Sequence, residues 1–117
     1  MKKILVVEDE KALCLLYREE LGKAGYEITT AYDADAALEE LKKKPFDLII
    51  TDIRMPGKNG IELITQIMGL RKDIPIIINS AYQSYKEDFM TWAADAYVVK
   101  SASLDELKAK IRQLLGD

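Results

Sequence analysis

Five short strand-like runs, each followed by a segment with helical spacing of apolar residues, divide the 117-residue chain. Most of these runs are rich in Ile, Leu and Val and are bounded by polar or turn residues. That pattern is typical of strands buried on both faces of a parallel sheet. The sequence predicts strands at Ile4–Val7, at Glu27–Ala31, from Leu48 toward Asp52, at Ile74–Ile78 and at Tyr97–Val99.

The segments between these runs predict helices. The first has an apolar face and is expected to stop at Gly25. This face is predicted to comprise Leu13, Leu16, Tyr17, Leu21 and Ala24. Either Asp33 or Asp35 can cap the second helix, and Pro45 ends it.

Five strand-then-helix units favour a doubly wound α/β fold, because right-handed crossovers place helices on both faces of a parallel sheet. We expect one flavodoxin-like (βα)5 domain over residues 1–117, with strand order 2-1-3-4-5. In such a sheet the ligand site lies beyond the carboxyl ends of the strands, where the strand order reverses. Here that point falls between the first and third strands.

Composition narrows the possible functions. The chain is 49% hydrophobic and 32% charged, with a net charge of -3, so no global attraction to nucleic acid or to an anionic membrane is expected. No apolar run approaches the ~20 residues that span a bilayer, and the lone Cys14 fits a reducing compartment, so we expect a cytoplasmic protein without membrane insertion. Histidine is absent, which excludes a Ser-His-Asp triad and His-ligated zinc.

Polar side chains follow the strands at their carboxyl ends. Glu8 and Asp9 end the first strand, Asp52 the third, Ser80 the fourth and Lys100 the fifth. Taken singly, each has an ordinary interpretation as a helix cap, a turn residue or a solvated charge. Because parallel strands end at one edge of the sheet, we expect all five side chains to meet there.

Three neighbouring carboxylates repel one another unless a cation intervenes. Oxygen ligands without His or Cys suit Mg²⁺, while a lysine and a hydroxyl suit phosphoryl oxygens. The set therefore predicts Mg²⁺-dependent phosphoryl transfer onto Asp52, with Lys100 and Ser80 in supporting roles.

In these residues the sequence resembles the receiver domain of two-component response regulators, of the single-domain chemotaxis or sporulation-relay type, over its whole length. The matching motifs are Glu8-Asp9, Asp52-Ile-Arg-Met-Pro-Gly-Lys-Asn-Gly, Ser80-Ala81, Tyr97 and Lys100. The resemblance implies that Asp52 accepts a phosphoryl group from a phosphohistidine of a sensor histidine kinase or a histidine phosphotransfer protein. It further implies that Mg²⁺ is bound by Asp9, Asp52 and the backbone carbonyl of Arg54, with Glu8 helping through water.

The resemblance also implies a switch made by Ser80 and Tyr97, which alters the face formed by the fourth helix, the fifth strand and the fifth helix. The expected output is a contact with a downstream protein or onward transfer in a relay. Direct binding to nucleic acid is not expected, because no DNA-binding domain is attached.

Several local features lead to narrower hypotheses. Family members usually have proline after the lysine, whereas this chain has Lys100-Ser101, so we predict a trans bond there. Arg54 and Tyr82 occupy positions that modulate loss of the phosphoryl group in this family, and their bulk is predicted to prolong its lifetime. On the first helix Cys14, Leu15 and Arg18 lie off the predicted apolar face and are either ordinary surface residues or a docking patch for the donor.

Three other functions share the predicted fold or part of the predicted site. A flavodoxin-like electron carrier needs a first loop that cradles phosphate, and Glu8-Asp9-Glu10 would repel it. An aspartate-nucleophile phosphatase needs a second acid at the position of Arg54, so we expect a stoichiometric acceptor rather than an enzyme. A receiver that acts as a binding module without phosphorylation stays open as the alternative.

Overall fold

The computed structural model describes residues 1–52, 65–67, 69, 73–81, 95–100 and 103–116. Five strands form one parallel sheet in the order β2-β1-β3-β4-β5, which confirms the predicted fold class and strand order. The strands are β1 (Lys3–Val7), β2 (Glu27–Ala31), β3 (Leu48–Thr51), β4 (Ile76–Ser80) and β5 (Ala96–Val99).

Both faces of the sheet are covered, which explains the continuous apolar strands. On one face, the first core cluster joins Leu5, Ile49 and Ile78 to helix α2 (Ala34–Lys43) and to Ile67 in a helical segment. On the other face, the second core cluster joins alternate strand residues to helix α1 (Lys11–Lys23) and to the C-terminal helix (Asp105–Leu115). No helix in the described part of the chain is long and apolar enough to span a bilayer.

The ladder of hydrogen bonds continues past the ends of the strands. The Glu8 N–H donates to the Ala31 carbonyl at 2.9 Å, and the Asp52 N–H donates to the Val7 carbonyl at 3.2 Å. The Lys100 N–H likewise donates to the carbonyl of Ser80 at 2.7 Å. The backbones of the predicted site residues are therefore fixed by the sheet itself.

Helix α1 buries a different face from the one predicted. Its buried residues are Cys14, Tyr17 and Leu21, whereas Leu16 is 40% exposed and Ala24 lies at the surface. The assignment of Leu16 and Ala24 to the core was therefore wrong, as was the assignment of Cys14 to the surface. The physical reason is packing: Tyr17 and Leu21 join the second core cluster, and on the same side of the helix the Cys14 thiol donates to the Glu8 carbonyl, just after β1, at 3.1 Å.

The predicted cap of α2 is confirmed. Asp33 is extended, and its Oδ1 accepts the N–H of Ala36 at 2.7 Å. At the start of the C-terminal helix, the hydroxyl of Ser103 accepts the N–H of Asp105 at 3.1 Å.

Candidate functional site

Glu8, Asp9 and Asp52 form an acidic cluster between β1 and β3. One carboxylate oxygen from each lies within 4.8 Å of the others. Glu8 is 2% exposed and Asp52 8% exposed, whereas Asp9 faces solvent. The cluster lies at the carboxyl edge of the sheet, at the point where the strand order reverses. The predicted convergence of these three residues is therefore present.

Lys100 brings its amine between two of these acids. Its Nζ lies 2.5 Å from Glu8 Oε1 and 2.6 Å from Asp52 Oδ2. Burial lowers the pKa of Lys100, but hydrogen bonds and charges from Asp52 and Glu8 outweigh burial and raise that pKa above its usual range. The amine is therefore held in its charged form.

Burial is the main influence on the pKa of Glu8. Burial raises the pKa of its carboxyl group, and the hydrogen bond from Lys100 and the backbone N–H of Glu10 reduce that rise without cancelling it. Lys100 therefore favours the ionised form of Glu8, while burial opposes it.

The donor set fits a hard divalent cation. Mg²⁺ prefers carboxylate oxygens and retained water, and the cluster offers three carboxylates near one point with water access beside Asp9. Lys100 neutralises only part of their charge. The cluster can therefore hold a divalent cation and keep an amine beside the oxygens of Asp52.

Ser80 and Tyr97 lie on neighbouring strands at this end of the sheet. Ser80 is the last residue of β4, is fully buried, and pairs with Val99 in register. Tyr97 is two residues before Val99, so side-chain alternation places it on the same face of the sheet as Ser80. Tyr97 is 4% exposed and packs in the first core cluster.

The remaining predicted residues fall into two groups. Arg54, Tyr82 and the Lys100–Ser101 bond lie outside the described residues. On α1, Leu15 is 57% exposed, and Arg18 is exposed with its guanidinium donating to the Thr30 hydroxyl at 2.8 Å. Cys14 is 2% exposed, so its inclusion in a docking patch was wrong.

One polar contact near the site was not predicted from the sequence. The side-chain amide of Asn79 donates to the hydroxyl of Tyr17 at 2.9 Å, and both side chains are buried. Their separation of 62 positions hides the contact in the sequence. The available signal was Asn79 itself, a polar residue at the end of an Ile run.

Comparison with known proteins gives a consistent family. The family described as the response regulator receiver domain matches residues 4–112. The crystal structure of response regulator TrrA from Thermotoga maritima in complex with Mg²⁺-BeF is 48% identical, with a TM-score of 0.92, and the match covers 98% of this chain and 100% of that one. A complex of histidine kinase ThkA with TrrA matches at 48% identity and a TM-score of 0.90, covering 98% and 99%.

A curated relative, response regulator ArlR from Staphylococcus saprophyticus, is 36% identical over 116 residues. This match covers 98% of the chain but 53% of ArlR, so the chain spans about half the length of that relative. The family match extends over nearly the whole chain and includes Glu8, Asp9, Asp52, Ser80 and Lys100. The chain therefore belongs to the response regulator receiver domain family.

Proposed function

We propose that Asp52 is the phosphoryl acceptor and that it receives the group from a phosphohistidine of a sensor histidine kinase or a histidine phosphotransfer protein. One observation carries this proposal: the Asp52 carboxylate lies in an acidic cluster with a lysine amine 2.6 Å away. The complex of ThkA with TrrA supports the class of donor. The chain has no histidine, so the donor must be another molecule.

In this reaction a carboxylate oxygen of Asp52 attacks phosphorus while the P–N bond to the donor imidazole breaks. The bonding pair leaves with the imidazole, and Asp52 becomes an acyl phosphate. The Lys100 amine, already beside Asp52, donates to a phosphoryl oxygen, and the Ser80 hydroxyl donates to another. The protein is a stoichiometric acceptor, and hydrolysis of the acyl phosphate restores Asp52.

Glu8, Asp9 and Asp52 would hold Mg²⁺, together with the backbone carbonyl of Arg54, which lies outside the described residues. When bound, Mg²⁺ neutralises charge that accumulates on the phosphoryl oxygens. The TrrA structure that contains Mg²⁺-BeF supports this part of the proposal.

Ser80 and Tyr97 are proposed to transmit the phosphorylated state. Their shared face of the sheet and their neighbouring strands support this role, since a movement of Ser80 is felt by side chains packed beside it. The affected face would contact a downstream protein. On the opposite side of the sheet, exposed Leu15 and Arg18 on α1 would meet the donor. A cytoplasmic location belongs to the same proposal, and a single cysteine fits a reducing compartment.

The test is incubation with phosphoramidate, with and without Mg²⁺, followed by intact-mass measurement. Wild type should gain one phosphoryl group only with Mg²⁺, and Asp52→Ala should gain none. Asp47→Ala is the matched control, because Asp47 lies at the opposite end of the same strand and should not affect the adduct. If the folded wild type gains no adduct, phosphoryl transfer is rejected and the binding module becomes the better description.

A further inference from the structure

Tyr17 and Asn79 form a buried polar pair inside an otherwise apolar layer. The two side chains are 3% and 4% exposed, and the amide of Asn79 donates to the Tyr17 hydroxyl at 2.9 Å. Around them, the second core cluster is made of aliphatic and aromatic side chains such as Val6, Ile50 and Ile77. Burial of two polar groups costs free energy unless they form a hydrogen bond with each other. The two side chains are therefore held in the geometry that this bond requires.

The pair connects α1 to the residue of β4 that directly precedes Ser80. Asn79 directly precedes Ser80 in β4, and the two side chains point to opposite faces because strand residues alternate. Asn79 therefore holds the backbone from the α1 side, while the Ser80 hydroxyl lies on the other side. A displacement of Asn79 moves Ser80 with it, since the two share a peptide unit.

The same helix contacts the acidic side of the site. The Cys14 thiol donates to the Glu8 carbonyl, and Cys14 and Tyr17 lie one turn apart on the buried face of α1. Burial raises the pKa of Tyr17, whereas the hydrogen bond from Asn79 and the charge of Lys100 lower it. Tyr17 thus lies within the electrostatic reach of the site.

We propose that Tyr17 and Asn79 are positioning residues, whose hydrogen bond sets the place of the Ser80 hydroxyl relative to the phosphoryl group on Asp52. The inference rests on the proposed phosphoryl transfer. Two apolar side chains would fill the same space but would restrain the end of β4 less tightly, whereas a hydrogen bond restrains both distance and angle. Small misplacements of a group that contacts the reacting atoms reduce rates strongly.

The experiment compares Tyr17→Phe, Asn79→Leu and the double variant with wild type. Each single change leaves a buried polar group without its partner, so both stability and rate should fall. The double change removes both polar groups, so stability in urea should return close to the wild-type value. The rate of adduct formation from phosphoramidate with Mg²⁺ should nevertheless stay about tenfold below wild type in the double variant.

Tyr26→Phe is the matched control. Tyr26 is also a buried tyrosine of the second core cluster, but it directly precedes β2, at the amino end of the sheet away from the site. It should alter stability without changing the rate. The backbone amide resonance of Ser80 in ¹⁵N NMR spectra should move in Tyr17→Phe, which leaves both chain neighbours of Ser80 unchanged, and stay in place in Tyr26→Phe.

A double-mutant cycle with Ser80→Ala tests whether Tyr17 affects the rate of adduct formation through Ser80. If Tyr17 acts through Ser80, Tyr17→Phe should slow the reaction much less in the Ser80→Ala background than in wild type. A double variant whose rate recovers together with its stability would overturn the inference, as would an equal fall in both backgrounds. Failure of wild type to accept a phosphoryl group would instead reject the proposed function, and the shift of the Ser80 resonance would still test the positioning contact.

Discussion

The amine of Lys100 and a bound metal ion would compete for the same carboxylates. The amine contacts both Glu8 and Asp52 at 2.5 and 2.6 Å, so it partly neutralises the cluster that we propose binds Mg²⁺. Replacing Lys100 with Met keeps most of the aliphatic side chain and removes the charge. We predict that Lys100→Met binds Mg²⁺ more tightly than wild type, although it should accept a phosphoryl group more slowly.

The magnitude follows from the charges. With Lys100 the cluster of Glu8, Asp9 and Asp52 has a net charge of about -2, and without it about -3. One additional unit charge about 4 Å from a divalent ion adds about 2 kcal/mol of attraction even at the dielectric constant of water. That energy corresponds to about thirtyfold in Kd, and partial burial of the site increases it.

Protonation of Glu8 sets the pH at which this gain is visible. Burial already raises the pKa of Glu8, and Lys100 opposes that rise, so removal of Lys100 raises this pKa further. A proton on Glu8 must leave before the metal binds. The increase in affinity should therefore become smaller as the pH is lowered.

Isothermal titration calorimetry with MgCl₂ at low ionic strength measures the effect. Lys108→Met is the matched control, because Lys108 on the C-terminal helix pairs with Glu20 at 3.7 Å, outside the acidic cluster. Its Mg²⁺ affinity should equal that of wild type. A folded Lys100→Met protein with unchanged or weaker Mg²⁺ affinity would refute the competition between the amine and the metal.

Three further predictions concern α1 and α2. Asp33→Ala removes the acceptor for the first turn of α2 and should lower the free energy of unfolding by about 1 kcal/mol in urea; an unchanged value would show that water replaces the cap. Burial raises the pKa of Cys14 from 9.0 to about 11, so the folded state holds this proton more tightly than the unfolded state. The free energy of unfolding should therefore fall as the pH rises between those values, and it should fall less in Cys14→Ala. Leu15→Asp should slow transfer from a phosphorylated donor protein but not from phosphoramidate; equal losses in the two assays would argue against docking.

The fold could be predicted because its signals are local. Each strand is a run such as Leu48–Thr51 that is apolar on both faces, and parallel strands bring their carboxyl ends to one edge whatever the loops do. For that reason the meeting of Asp52 with Glu8 and Lys100 followed from topology alone. The chemistry of these side chains then narrowed the function.

The errors arise where long-range contacts decide the outcome. On α1, the closely spaced Leu13, Leu15 and Leu16 leave the rotation of the helix ambiguous, and it is set by contacts with other elements, such as the thiol of Cys14 with the Glu8 carbonyl. The ion pair of Lys100 with Glu8 was also missed, because the sequence suggested only phosphoryl oxygens as its partner. Neither contact leaves a periodic signal in the sequence.

The ion pair between Glu8 and Lys100 has a consequence for biosynthesis. Glu8 follows β1 and Lys100 follows β5, so Lys100 takes its place only when β5 pairs with β4. A ribosome-bound chain from which β5 has not yet emerged has the acidic residues but lacks the Lys100 amine that pairs with them. The proposed acceptor site is therefore complete only after β5 has been synthesised and paired, so products truncated before β5 would not compete for phosphoryl donors.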